Sequence, residues 1–420
     1  MKNGKLFQSL FLINFATSLG FGIADAFFST YLFSLGGRGL LLGLPLLLFS
    51  VSKIVLSPVM GACVDRIGAR RAATLSLTLY FLVSLGYLFC SRLALIALLR
   101  LFQGMACAMF RPVMLSLVAV VGGPKGEARA AGTFDISFYL AIGIGPLLGG
   151  MLHDLWGFYG IFACLALLCL FALTLALRRI PAPTEPPVLA NRRHCSLALP
   201  AALEAARHGT MGGLLAFIFG RGCGISLLAA FLPILLNARL GLSGTQTGMV
   251  LASSTLVITS LLRPVGWLSD RLPRKSLVLL GGVSVSLLYF LVPVAQGFHQ
   301  VLMLGGGIGL CSVLSQPAST ALLLEQGERH GTGLAVGIFN TALNLGFLVG
   351  PLLGGWLQNR FGLTAVFYAA GWIGLAAAAL FAASTLGDWL RQVPVPLHGQ
   401  VPVPLRGAGA EALHQATNLK

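Results

Sequence analysis

The sequence predicts an all-α membrane protein of twelve transmembrane helices arranged as two six-helix pseudo-symmetric halves. Three observations carry this reading. Of the 420 residues, 56% are hydrophobic and only 10% are charged, against about 25% charged in a soluble domain, and the mean hydropathy is +0.88. The apolar residues fall in runs longer than the roughly 18 residues that mark a membrane-spanning helix. Residue types also recur between the two halves at one constant offset. The same composition excludes a soluble enzyme, a secreted disulfide scaffold and a disordered chain.

Taken in order, the runs give spans at about 7–34, 40–62, 72–90, 93–118, 130–153, 157–178, 210–237, 245–268, 276–296, 299–324, 332–357 and 362–388. The first follows Met1–Lys5 and reaches about Phe33, which is too long for the apolar core of a signal peptide. Connections are short except for 179–209, where Pro181, Pro183, Pro186 and Pro187 precede the Arg192–Arg193 pair. The domain reading is a six-helix half at 1–178, a cytoplasmic linker at 179–209, a second half at 210–390 and a Pro-rich tail at 391–420. The tail carries a tandem Gln-Val-Pro-Val-Pro-Leu repeat beginning at Gln392 and Gln400, a composition that favours extended polyproline II structure.

The 28 Lys and Arg residues test the span number. With both termini on one side, nineteen fall on that side, four (Arg38, Arg92, Arg239, Arg360) on the other, and five inside spans. The positive-inside bias places both termini in the cytoplasm of a cell whose inner membrane holds the chain. A net charge of +16 therefore reads as orientation signal, and no basic patch interleaved with aromatics suggests a nucleic-acid partner. The eight cysteines show no metal-ligand spacing, and most lie in apolar runs where thiols pack as small hydrophobes. Gly305–Gly309 lies inside a span, without the strand–turn–helix setting of a dinucleotide loop. No catalytic residue, cofactor or metal is expected.

The halves repeat at an offset of 205. Gly61, Asp65 and Arg66 after span 2 correspond to Gly266, Asp270 and Arg271 after span 8. Gly145, Pro146, Gly149 and Gly150 in span 5 correspond to Gly350, Pro351, Gly354 and Gly355 in span 11, and Gly39, Gly43 and Pro112 to Gly244, Gly248 and Pro317. Two parallel six-helix repeats are a transporter architecture, with the substrate site between them near the midplane.

At these residues the chain resembles the major facilitator superfamily over nearly its whole length, and within it the twelve-helix drug and metabolite:proton antiporter branch. The loop after span 2 has that family's pattern in Gly61, Asp65, Arg66, Gly68, Arg70 and Arg71. The resemblance implies a conformational latch there and in its second copy, where Pro273 stands in place of Gly68. Arg100, Gln103 and Gly104 match the span-4 signature of proton-driven members. Span 5 follows the antiporter signature except that Ala141 replaces a glycine, while span 11 has the full form with Gly337, Gly346, Gly350, Pro351, Gly354 and Gly355. Small residues four apart let helices touch backbone to backbone, and each proline removes an intrahelical donor. Packing alone would also account for these glycines. The resemblance implies a monomeric exporter with no enzymatic activity, exchanging a small molecule for protons.

Ionisable residues inside a span are costly and need a partner or a function. They are Asp25, Lys53, Arg100, Arg111, Asp135, Arg221 and Arg263, and the interiors of spans 3, 6, 9 and 12 contain none; those four are the peripheral helices of the resembled fold. At 1.5 Å per residue, Asp25 and Arg100 fall in the outer half, roughly 27 Å and 10 Å from the starts of their spans, close enough to pair. Arg111 and Asp135 fall in the inner half and form a second candidate pair. Asp25 is the proton-coupling group or a static partner of Arg100, and Asp135 is a second coupling candidate or a structural residue. Lys53 and Arg221 have no acid left to balance them, which points to an anionic or zwitterionic substrate unless they snorkel. Gln103, Arg111, Gln316, Asn340 and Asn344 complete the candidate cavity, with amide bonding between helices as the other role. The leading reading is proton-coupled efflux by rocking of two halves. The alternatives are uptake of an organic anion, or a lipid flippase or transport-dead receptor on the same fold.

Overall fold

A computed structural model describes the backbone of residues 2–181, 209–269, 271–330 and 332–392, and within these the side chains other than those at 2–3, 57–66, 119–120, 122–133, 324, 326–337 and 387–392. The 179–209 linker and the 391–420 tail lie almost wholly outside the described residues. Spans 1 to 3 are the helices Lys2–Ser34, Leu40–Ile67 and Ala69–Phe89. Spans 7 to 12 are Gly209–Ala238, Gly244–Ser269, Arg274–Leu291 with a 3₁₀ turn at Val292–Val294, Phe298–His330, Thr332–Phe361 and Leu363–Gln392.

Spans 4, 5 and 6 follow one another from Leu93 to Arg179 with helical turns carried into both connections, and the chain reverses twice within that stretch. Arg111 and Asp135 approach to 3.5 Å, although 24 residues of straight helix would separate them by about 36 Å. A methyl group on Gly22 would meet Gly145, and one on Gly20 would meet Leu165, so residues 145 and 165 lie at nearly one level of span 1. The second reversal falls at Gly157, whose φ of +62° is a left-handed conformation suited to glycine. Among the described residues ten helices are long and apolar enough to cross a membrane, one of them the 46-residue Phe134–Arg179, and Leu40–Leu56 is a shorter apolar helix. Counting Phe134–Arg179 as two crossings and span 2 as one gives twelve. Helices outrun the apolar stretches that announce them because hydrophobicity marks the lipid-facing length, whereas the hydrogen-bond ladder continues into polar sequence.

The first and last described helical residues, Lys2 and Gln392, lie at one end of the bundle, here called the terminal end; the opposite end is distal. The halves meet across two seams toward the distal end. In the first, Gly150 of span 5 abuts Gly244 of span 8 and Gly248 abuts the Pro146 carbonyl. In the second, Gly355 of span 11 abuts Gly39 before span 2, and a Cβ at Gly43 would lie 2.6 Å from the Pro351 carbonyl oxygen. Each contact of one seam maps onto the other by the 205-residue offset. Toward the terminal end, Ile136 and Tyr139 continue the span-5 face that meets span 8 at Gly143, Pro146 and Gly150, and both are exposed, so spans 5 and 8 part there and the space between the halves opens.

Within each half, glycines set the approach of spans 5 and 11 to spans 1 and 7. A Cβ at Gly145 would lie 2.6 Å from the carbonyl carbon of Gly22. Ala141, the departure from the glycine pattern, is fully buried yet accommodated, with Gly22 facing it. Its counterpart Gly346 packs so closely on Phe219, Gly222 and Cys223 that a methyl group has no room. Replacing Gly145 by Val is expected to force spans 1 and 5 apart and cost about 1–3 kcal/mol, the usual range for overpacking. Gly266→Val, at a site with nothing within 4 Å of the added Cβ, is expected to leave the thermal midpoint nearly unchanged. Melting of the two purified variants checks both.

Candidate transport cavity and its charged pair

Asp25 on span 1 and Arg100 on span 4 face each other across the first half. Arg100 Nη1 donates to Asp25 Oδ1 at 2.7 Å and to Gln103 Oε1 at 3.0 Å, and that oxygen also accepts the Tyr87 hydroxyl at 2.7 Å. Arg100 and Gln103 are three residues apart and so share a helix face. So are Asp25 and Phe28, and the Phe28 ring lies under the guanidinium at 3.4 Å, a cation–π contact. The pair is asymmetric: the Arg100 side chain is 2% exposed and that of Asp25 45%. The cation is sealed among aromatic rings, while the carboxylate looks into open space.

That space has two lobes, each about 320 Å³, and Asp25 lines both. The first is mostly apolar, walled by residues such as Ile142, Leu228, Val250 and Leu304, with Arg221, Tyr289 and Ser312 as polar features. The second, here called the polar lobe for its lining side chains, includes Lys53, Arg100, Ser50 and Asn344 beside Phe49 and Phe347, although most of its surface is apolar too. Each is the size of a small-molecule site. Helices from both halves contribute to each lobe, as expected for a site between repeats. Span 9, expected to be peripheral, reaches the apolar lobe through Tyr289 and Val292 at its distal end.

The remaining predicted residues divide. Lys53 and Asn344 line the polar lobe and Arg221 the apolar one. Gln103 does not face the cavity; it is 2% exposed and stands behind Arg100. Gln316 likewise backs Arg221, accepting from its Nη2 at 3.1 Å. Arg111 and Asp135 form a long, solvent-open pair at 3.5 Å outside both lobes, and Asn340 is exposed outside them. Sequence cannot say which face of a helix turns inward, and so leaves open whether an amide in a span lines the cavity or joins helices. Asn14, another amide in a span, joins spans 1 and 5 through Ser137 at 2.7 Å.

In the first loop the side chains of Gly61, Asp65 and Arg66, and in the second Asp270, lie outside the described residues. Arg70 Nη2 bonds the Leu177 carbonyl at 3.1 Å at the end of span 6, within its own half, and Arg71 is exposed. Arg271 lies 3.6 Å over the Trp267 ring. Gly68 adopts a φ of +83°, whereas its counterpart Pro273 has −59°, so the two turns differ in backbone as well as in sequence.

Phe28 and Tyr87, which hold Arg100, were not legible as site residues because buried aromatics in a span read as packing. Asp154, at the distal turn between spans 5 and 6, was also missed. Its Oδ1 accepts the Gly244 amide at 2.6 Å and its Oδ2 the Thr245 amide at 2.7 Å, across the first seam.

A helical bundle of two repeated halves with a cavity between them is the architecture of a membrane transporter. The model of the Major Facilitator Superfamily matches residues 10–234 and 214–406, and the chain belongs to that family. It is 23% identical over 378 residues to the uncharacterized MFS-type transporter MJ1560 of Methanocaldococcus jannaschii, covering 87% of this chain and 95% of the relative. It is 35% identical over 156 residues to the multidrug resistance protein MdtG of Serratia proteamaculans, but that match spans only 36% of this chain and 37% of MdtG. Among solved structures, the nucleoside transporter NupG superposes with a TM-score of 0.76 at 14% identity, over 90% of this chain and 99% of NupG. The family acts on small molecules, and the chain is a multi-pass membrane protein.

The unequal exposure of the pair predicts unequal costs. Asp25→Ala leaves a sealed guanidinium without its carboxylate and is expected to cost about 3–5 kcal/mol, as for a broken buried pair. Arg100→Met leaves a carboxylate that the cavity can hydrate, and is expected to cost about 1–2 kcal/mol, below that range. Thermal or denaturant unfolding of the two variants, with the double variant closing the cycle, measures the difference.

Proposed function

We propose that the chain is a proton-coupled exporter of the cytoplasmic membrane. In this reading both termini are cytoplasmic, the distal end is external, and a small amphipathic or charged compound leaves by rocking of the 1–178 and 210–390 halves. The observation that carries the reading is the carboxylate of Asp25, open to both lobes, opposite a cation that is sealed away. A proton from the cavity reaches Asp25 but not the Arg100 side of the pair. Protonation weakens a charge-assisted bond to an ordinary one and changes the cavity charge by one unit, a local event able to bias two global states. Asp135, on the open terminal half beside Arg111, is the second candidate proton site. Export is supported by the glycine pattern of spans 5 and 11 and by the similarity of 156 residues to the multidrug resistance protein MdtG.

Lys53 and Arg221 favour a second reading, uptake of an organic anion together with protons. Each lines a lobe, and neither forms an ion pair with an acid among the described residues. The two readings differ in the sign of a linkage. An exporter that exchanges substrate for protons makes the two compete, so substrate affinity rises with pH. A proton on Asp25 instead makes the cavity more positive, so an anion binds better as pH falls. Linkage is reciprocal in either case.

The test is thermal stabilisation of the purified protein by a panel of lipophilic cations and carboxylated amphiphiles at pH 6 and pH 8. Stabilisation by a bound ligand follows its affinity. For one competing proton the affinity is expected to rise by up to about tenfold per pH unit, and Asp25→Asn, which keeps an acceptor for Arg100, is expected to erase the dependence. Stronger binding of carboxylated ligands at pH 6 that needs Lys53 or Arg221 would select the uptake reading. Equal binding at both pH values in both proteins would remove proton coupling altogether.

A further inference from the structure

We infer that Asp154 is a gating residue of the transport cycle, whose carboxylate, carried by the first half, latches the start of span 8 in the second half and holds the distal end shut. Besides the two amides, Asp154 Oδ2 accepts the Thr245 hydroxyl at 2.6 Å. The first amides of a helix have no intrahelical acceptor, and the positive end of the helix dipole favours a carboxylate there.

Local helix capping does not explain this contact, because span 8 brings its own cap. The Ser243 hydroxyl accepts the Gln246 amide at 3.2 Å, and Gln246 Oε1 accepts the Ser243 amide at 3.1 Å, a reciprocal capping box. Ser243 and Gln246 satisfy the helix from within the second half. Asp154 takes the two intervening amides from the other half, 90 and 91 residues away in sequence.

The seam is built to permit it. Gly150 and Gly244 meet backbone to backbone, and a Cβ on Gly244 would lie 2.7 Å from Asp154 Oδ1. Separation of spans 5 and 8 breaks all three bonds at once, so they exist in only one of the two states and bias the equilibrium toward it. The repeat supplies an internal comparison. The counterpart of Asp154 at the 205-residue offset is Asn359, which packs against Gly39, 3.0 Å from the position of a Cβ there. One seam thus carries a charged latch and the other a neutral contact. The inference requires alternating access but neither a direction of transport nor proton coupling, and it stands if those readings fail.

The test is hydrogen–deuterium exchange of the purified full-length protein with Asp154→Ala, Asp154→Asn and Asn359→Ala. For Asp154→Ala, exchange across 244–248 is expected to rise about fivefold, the ratio that a typical lost cap corresponds to. Exchange at the terminal ends of spans 4, 5, 10 and 11 is expected to fall as those ends close. Asp154→Asn, which keeps one acceptor oxygen, is expected to give a smaller change of the same two-ended form, and Asn359→Ala little at the terminal end. If Asp154→Ala does not fold, the Asn variant carries the same comparison. A rise confined to 244–248, with the terminal end unmoved, would make Asp154 a structural cap and overturn the inference, as would no rise at all.

Discussion

A guanidinium inside a membrane span must find its acceptors within the protein, because the surrounding hydrocarbon offers none. Arg100 meets that requirement at Nη1 alone, while its buried Nε and Nη2 have no hydrogen-bond partner among the described residues and the guanidinium rests on the Phe28 ring. Asp25 and Phe28 on span 1, Tyr87 on span 3 and Gln103 on its own helix converge on one side chain. Three spans are thereby brought together at one level. The arrangement also leaves Asp25 at the boundary between sealed protein and open cavity. Burial of the cation and exposure of the anion are therefore two sides of one arrangement, and the chemistry available to the cavity begins there.

The second constraint is distance between backbones. Helices that carry no side chain at a contact approach until main-chain atoms touch, and the glycines of spans 5 and 11 serve this twice. One face of each helix packs on its own half, as Gly145 does on Gly22 and Gly346 on Gly222. The other face meets the opposite half across the seams, as Gly150 does on Gly244 and Gly355 on Gly39. A helix that is tight on one side and separable on the other suits the boundary of a moving half. The prolines at 146 and 351 lie at the seams themselves, where their carbonyls meet Gly248 and Gly43.

The cavity between the seams joins an apolar lobe to a polar one, with Asp25 common to both. Both surfaces are mainly apolar and the charged side chains gather in the second, so a mostly apolar molecule with one polar or charged group fits the pair. Cations outnumber acids along the walls, so the charge of the substrate and the sign of its linkage to protons are tied together by electrostatics. For this reason the export and uptake readings are alternatives about one site and not about two.

The apolar runs and the 205-residue offset determined that the chain crosses the membrane repeatedly in two related halves, because the bilayer admits few backbone solutions and imposes a fixed length on each. The scarcity of charge inside spans likewise made Asp25, Lys53, Arg100 and Arg221 visible, since each must have a reason to be there. Sequence did not decide which face of a helix turns inward, and so could not tell that Gln103 and Gln316 stand behind arginines rather than line the cavity. Nor could it show that Phe28 and Tyr87 seal a cation, or that an acid at a turn reaches a helix 90 residues on. Those are matters of tertiary structure, because contact across helices depends on rotation and tilt set by packing at glycine seams, and hydrophobicity fixes neither.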